Sequence, residues 1–223
     1  MCHNELSELD FNVVVLQETQ LESDIQKFEN FALFSSGLEC KKHEFGCGFY
    51  VSGEFLKYVK DFKIINERIS CLRLKAKWFS YTLINVHAPT NEKTEEIKEE
   101  FYKLLEQNIS QIARSDIKIT LGDFNAKVGK EIIYKSSIGN EGLHNETNNN
   151  GIKMIQFAIS QGLNVRSTTF PHKDIHKETL YSADGRTVNQ IDHVLISNRF
   201  RSAITDIRAL REPDIGSDHK DKF

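Results

Sequence analysis

Five apolar stretches of this chain share one feature: each has a small polar cluster at an end. The clusters are Gln17-Glu18-Thr19, the run NVHAPT at 85–90, GDFN at 122–125, QIDH at 190–193 and SDH at 217–219. The stretches beside them, among them FNVVVLQ (11–17), YTLINVHA (81–88) and IKITLGDFN (117–125), have the length and residue types of buried strands. A chain built this way folds around sheets whose strand ends carry polar side chains. Ligand-binding and reactive groups gather at such ends.

Between two of these strands the hydrophobic period changes. Ile97, Phe101, Leu104 or Leu105, Ile109 and Ile112 recur every three to five residues, which predicts an amphipathic helix over 93–113. A second helix is expected over 151–160, with Asn149 or Asn150 as its cap and Gly162 as its stop. Segment 23–30 reads as a short helix. FGCGFYVS, ISCLRLKA, LNVRS, VNQIDHVLIS and ITDIRAL read as strands, and 130–149 as a loop rich in Gly, Asn and Ser. No repeat or Pro/Gly-rich linker divides the 223 residues, so one α/β domain spanning 1–223 is expected, with mixed sheets packed together and helices outside.

Composition narrows the class. Hydrophobic residues make up 39% and charged residues 27%, and no apolar run reaches membrane-spanning length, so no membrane partner is expected. Cys2, Cys40, Cys47 and Cys71 are too few and too unevenly spaced for a disulfide scaffold or a zinc site. Reduced thiols point to the nucleus or cytoplasm. A net charge of −3 argues against a uniformly basic nucleic-acid sleeve, but not against a nucleic-acid enzyme whose acids hold a cation.

Each cluster admits a bland and a chemical reading. Glu18 is either a surface acid after a strand or an oxygen ligand for Mg²⁺, with Asp218 as a second donor. Asp123 and Asn125 either close an Asx-turn or serve a phosphate: Asp orients a water, and neutral Asn donates to a phosphoryl oxygen without adding repulsion. Phe124 between them is expected to point into the core. Asp192 and His219 form a possible dyad, in which a carboxylate orients an imidazole that faces developing negative charge. His87 is a further candidate, with Glu67 on the adjacent strand as its acid, whereas His193 reads as an ordinary surface histidine. No P-loop, dinucleotide fingerprint, HExxH or GxSxG occurs.

Glu18 in VVVLQETQ, Pro89 in NVHAPT, LGDFNAKVG, the threonine of KETLYSADG, NQIDHVLIS and GSDH occur in a familiar order. Together they resemble the endonuclease/exonuclease/phosphatase superfamily, which includes DNase I and the abasic-site endonucleases. FPHKDIHKETLYSADGRTVNQIDHVLIS is most similar to the endonuclease domains of non-LTR retrotransposons and the craniofacial development protein 2-like proteins. The resemblance implies a DNase I-like four-layered α/β sandwich with two central mixed sheets. It further implies Mg²⁺- or Mn²⁺-dependent cleavage of phosphoesters, with a 5′-phosphate and a 3′-hydroxyl as products. By position Glu18 matches the family's metal-binding glutamate, and Asp123 and Asn125 the pair that positions nucleophile and phosphate. Asp192 and His219 match the Asp–His dyad, Asp218 the acid beside it, and Thr179 a cleft threonine. Many relatives carry Tyr where this chain has His87. Family members also begin with a strand bearing a cleft Asn and end with one after SDH, so a domain incomplete at both termini, without its first and last strands, is expected. The expected activity is DNA nicking, by a chain of retroelement origin that can form part of a larger reverse-transcriptase polyprotein. Phosphatase or exonuclease activity on the same fold, or an inactive interaction protein, are the rivals.

Overall fold

The computed structural model describes residues 11–37, 45–182 and 187–210. The chain has an α/β fold with two central β-sheets flanked by helices, the expected class. It divides into two compact units, Met1–His87 and Ala88–Phe223.

In the first unit, strands β1 (Val13–Leu16), β2 (Asp24–Lys27), β3 (Phe31–Ser36) and β4 (Cys47–Ser52) form an antiparallel sheet in the order β1-β4-β3-β2. After the one-turn helix α1 (Gly53–Leu56), strands β5 (Val59–Asn66), β6 (Ile69–Lys75) and β7 (Ser80–His87) make an antiparallel meander. The two layers pack through Ala32, Phe34, Phe49 and Val51 on one side and Phe62, Leu72, Leu74 and Leu83 on the other. The Phe62 ring lies 5.2 Å from that of Phe34 and 6.2 Å, edge-on, from that of Phe49. Such apolar interdigitation is what two sheets with one hydrophobic face each require.

Segment 23–30 is not a helix. Its middle is β2, exposed throughout, which runs antiparallel to β3 at the edge of the sheet. Four residues with no buried face cannot offset helix nucleation, whereas an edge strand draws its backbone partners from a neighbour already in place. Strands β3 and β5 were not among the strands expected from sequence.

In the second unit the expected long helix is α2 (Glu95–Gln111), which begins after Thr94 and buries Phe101, Tyr102, Leu105 and Ile109. Strand β8 (Ile117–Asp123) follows, then the loop 130–147, and then helix α3 (Asn149–Ser160), which closes before Gly162 at φ +62°. The α3 cap is Asn148, not Asn149 or Asn150: its side chain accepts the Gly151 N–H at 2.8 Å. Strands β9 (Leu163–Val165) and β12 (Asp192–Ser197) pair antiparallel, β12 pairs antiparallel with β8, and β10 (Leu180–Tyr181) with β11 (Val188–Asn189) forms a small hairpin. The α2 and α3 helices meet through Tyr102 and Phe157, with ring centroids 5.7 Å apart.

Two further expectations fail here. VNQIDHVLIS is two strands, interrupted at Gln190 and Ile191. ITDIRAL is irregular chain, held by Ala209 N–H donating to His176 O (2.7 Å) and by Arg166 donating to Ile204 O (3.3 Å). Among the described residues no helix is long and apolar enough to cross a membrane.

Candidate functional site

The polar residues of the first unit are arranged around Asn85. Its side chain is fully buried on β7 and donates to Leu16 O and Gly48 O, each at 2.8 Å. It accepts from Gln17 Nε2 at 2.7 Å. The end of β1 is thereby fixed against β4 and β7 just where the chain turns into Glu18. That turn is unusual: Glu18 has φ +51° and Gln20 φ +52°, left-handed values that a residue with a Cβ adopts only when its surroundings hold it there. The turn is tied down by Thr19 N–H to Gly46 O (3.2 Å) and Gln20 N–H to Phe45 O (3.3 Å).

Glu18 leaves its carboxylate more than half exposed, with Oε1 3.6 Å from Nε2 of the buried His87. This is an ion-pair distance when the imidazole is protonated and too long for a hydrogen bond. Glu67 was the acid expected for His87. The approach of Glu18 to His87 was not foreseen, since the two residues lie 69 positions apart and become neighbours only in the folded chain. Glu67 sits in the β5–β6 turn, one residue before Arg68. The Arg68 carbonyl accepts the His87 N–H (2.9 Å), and its guanidinium donates to His87 O (3.1 Å) while lying 4.0 Å over the Phe45 ring.

In the second unit the antiparallel register of β8 and β12 sets Asp123 directly opposite Asp192 and Gly122 opposite His193. Directly opposed residues share a face of the sheet, so the two acidic side chains leave it on the same side. Gly122, one residue before the end of β8, takes φ +132°, a value that residues with a side chain rarely adopt.

Asn125, at φ +48°, folds back on Asp123. Its backbone N–H donates to Asp123 Oδ1 at 2.7 Å. Its Nδ2 donates to Asp123 Oδ2 (3.3 Å) and to Ala88 O (2.9 Å). A carbonyl can only accept, so the bond to Ala88 fixes which amide atom is nitrogen. Both amide hydrogens are thereby used within the protein, and Asn125 acts first as the residue that holds the Asp123 carboxylate. Phe124 is fully buried, as expected.

Three residues in support were not singled out from sequence for this purpose. Asn150 donates from Nδ2 to Pro89 O (2.9 Å) and Asn125 O (3.0 Å), so the start of α3 holds the turn from behind. Asn148, besides capping α3, accepts the Lys127 N–H at 3.0 Å. Gly151 completes the approach: a Cβ there would come within 2.1 Å of Lys127 O. The run of three asparagines was a visible signal, but it suggested only a cap.

Thr179 is buried, and its hydroxyl accepts the N–H groups of Ile191 (3.1 Å) and Asp192 (3.3 Å), which steers the chain into β12. Gln190 is also buried; it donates to Ser167 O (3.2 Å) and accepts from Leu143 N–H (3.0 Å). His193 corrects the surface reading, since it is fully buried. Its Nε2 lies 2.8 Å from Ala126 O and its Nδ1 2.8 Å from Ser167 Oγ. Nε2 must donate to the carbonyl, so in the neutral ring Nδ1 accepts the serine proton. Burial pushes the His193 pKa down to about 4, and the ring stays neutral as a strut between β12 and the turn after Asn125. Asp218 and His219 lie outside the described residues. Among the described residues no three His, Cys, Asp or Glu side chains gather at metal-binding spacing.

No protein-family model matches the chain. Its fold is shared with proteins of the endonuclease/exonuclease/phosphatase type. It aligns with the endonuclease domain of TRAS1, a telomere-specific non-LTR retrotransposon, at a TM-score of 0.58 and 13% identity, over 89% of this chain and 78% of that one. An AP endonuclease, LMAP, from Leishmania major aligns at 0.63 and 13%, covering 89% and 73%. An endonuclease/exonuclease/phosphatase family protein from Leptotrichia buccalis C-1013-b aligns at 0.56 and 14%, covering 87% and 78%.

By sequence the chain is similar to craniofacial development protein 2, at 33% identity over 156 residues to that of Bos taurus and 34% over 156 residues to that of Tragulus javanicus. The match takes in 70% of this chain but 26% and 27% of theirs, so the chain spans about a quarter of the length of the curated relatives it matches.

Proposed function

We propose that the chain is a member of the endonuclease/exonuclease/phosphatase superfamily and hydrolyses phosphodiester bonds, nicking DNA with the help of Mg²⁺ or Mn²⁺. The observation that carries the reading is the opposed pair Asp123 and Asp192, with Asn125 folded onto Asp123 in a left-handed turn. Two acids are placed side by side, and one is aimed by two donors from a strained residue, an arrangement that a simple chain reversal does not need. The names of the relatives, an AP endonuclease and a retrotransposon endonuclease domain, favour DNA over other phosphoesters.

In this reading Asp123 orients and deprotonates the attacking water, and Asn125 fixes the direction of its lone pairs. Asp192 orients the imidazole of His219, whose protonated ring stabilises charge on the scissile phosphate. The exposed Glu18 carboxylate and Asp218 are hard oxygen donors that suit a divalent cation. When bound, the cation offsets negative charge on the phosphate and the leaving oxygen. His87, beside Glu18, and Glu67 are supporting groups, and Thr179 holds the backbone of Asp192 in position.

Purified chain on supercoiled plasmid tests this. Nicking in Mg²⁺ that stops in EDTA is expected, and falls about 100-fold or more in Asp123→Asn and in His219→Ala, with melting temperatures little changed. No nicking by folded protein would remove the endonuclease reading. Release of inorganic phosphate from monoesters instead would make the chain a phosphatase.

A further inference from the structure

The far end of the β5-β6-β7 meander carries a group of residues unrelated to the chemistry above. His87 closes one end of β7; the turn before Ser80 lies at the other, roughly 23 Å away by the rise of an extended strand. That turn is Ala76-Lys77-Trp78-Phe79, closed by Ala76 N–H donating to Phe79 O at 3.1 Å. Trp78 at its apex is 80% exposed, so its ring contributes almost nothing to the core. Lys77 Nζ lies 5.2 Å from the Trp78 ring.

A second aromatic–lysine pair stands beside it. Lys75 N–H donates to Tyr58 O at 2.7 Å, which joins the turn to the segment entering β5. There Tyr58 is exposed, with Lys57 Nζ 5.1 Å from its ring. Phe55 packs edge-on against Tyr58 at 5.4 Å and steadies it. Lys57, Lys60, Lys75 and Lys77 are all exposed, against two acids on these segments, Glu54 and Asp61. Asp61 lies across from Arg73. On a chain of net charge −3 this concentration of cations around upright aromatic rings is local and specific.

We propose that this tip is a single-stranded nucleic-acid contact, separate from the hydrolytic residues, in which a base stacks on Trp78 and the lysines pair with flanking phosphates. Stacking on an exposed ring, flanked by a basic track, is how proteins hold single strands without reading sequence. An apolar partner surface would leave the lysines unpaired, and a folded duplex offers no free base face to Trp78. Both DNA and RNA present the same chemistry here, bases on a polyanionic backbone.

Trp78 is the chain's single tryptophan, so its emission reports the contact directly. Oligo(dT) and oligo(U) should each quench it in EDTA, where no cleavage occurs and failure of the hydrolase reading cannot interfere. Raising salt from 50 to 200 mM should weaken binding about 20-fold if three phosphates are neutralised. Trp78→Ala should weaken binding of a labelled oligonucleotide about tenfold at an unchanged melting temperature, and Lys75→Gln with Lys77→Gln should flatten the salt dependence. Quenching by oligo(dT) alone would confine the contact to DNA. Absence of quenching, equal quenching by base-free polyphosphate, or unaltered binding by Trp78→Ala would overturn the proposal.

Discussion

Asn125 carries two properties that substitution can separate. Its left-handed backbone costs a residue with a Cβ about 1 kcal/mol, a cost that glycine escapes. Its side chain supplies Asp123 and Ala88 with hydrogen bonds. Asn125→Gly should therefore melt higher than Asn125→Ala, by about 1 kcal/mol in urea unfolding, while both lose nicking to a similar extent. Equal stabilities would mean that the turn relaxes when the amide is lost. His193 gives a pH prediction. Its pKa falls from the ordinary histidine range to about 4 on folding, so the unfolded chain binds the extra proton between about pH 6.5 and 4. Stability from this residue is complete above that window and is lost as pH falls through it, by up to about 3 kcal/mol. His193→Gln should show a shallower loss of melting temperature between pH 7 and 4.5 than the parent.

At the scale of elements, the two long helices and most buried strands were legible because their periodicity comes from burial, although the buried β3 was not. Phe101, Leu105 and Ile109 mark α2 where it packs, whereas Ile97, in the same pattern, is exposed. Elements fixed by a neighbour were not legible. β2 has no buried residue, and only its pairing with β3 makes it a strand. Segment 204–210 has the alternation of a strand, and among the described residues it pairs with no strand. The motif QIDH shows the same limit at the site: four polar or apolar letters hide a buried amide brace, a core isoleucine, a candidate acid and a neutral histidine strut. Asn148 offers a test. It caps α3 and also satisfies the Lys127 N–H, so Asn148→Ala should destabilise by about 2 kcal/mol, the upper end for a cap, and Asn148→Asp by much less. Urea denaturation of the three proteins measures it.

For the whole molecule, the hydrolase reading implies linkage between cation and fold. In that reading the cation binds the folded chain and not the unfolded one, so Mg²⁺ should raise the melting temperature, with about 1.4 kcal/mol of stabilisation at tenfold excess over its Kd. Glu18→Gln, which removes one of the oxygen donors assigned to the cation, should respond less to Mg²⁺ than the parent. A folded parent insensitive to Mg²⁺ at millimolar concentration would remove the cation from that reading.

The close seat of Gly151 on Lys127 has a kinetic corollary. The first turn of α3 and the residues 123–127 share the bonds of Asn148 and Asn150 and leave no room for a side chain between them. Neither can open while the other stays shut. In deuterated buffer the amides of Asn125, Lys127 and Gly151 should exchange together, at one rate, through a single opening event. The exposed segment around Ile132 and Ile133, in the loop that joins the two, should exchange much sooner. The tip at Ile132 and Ile133 can then fluctuate without loosening the ends of the loop, which keeps the Asp123 carboxylate aimed.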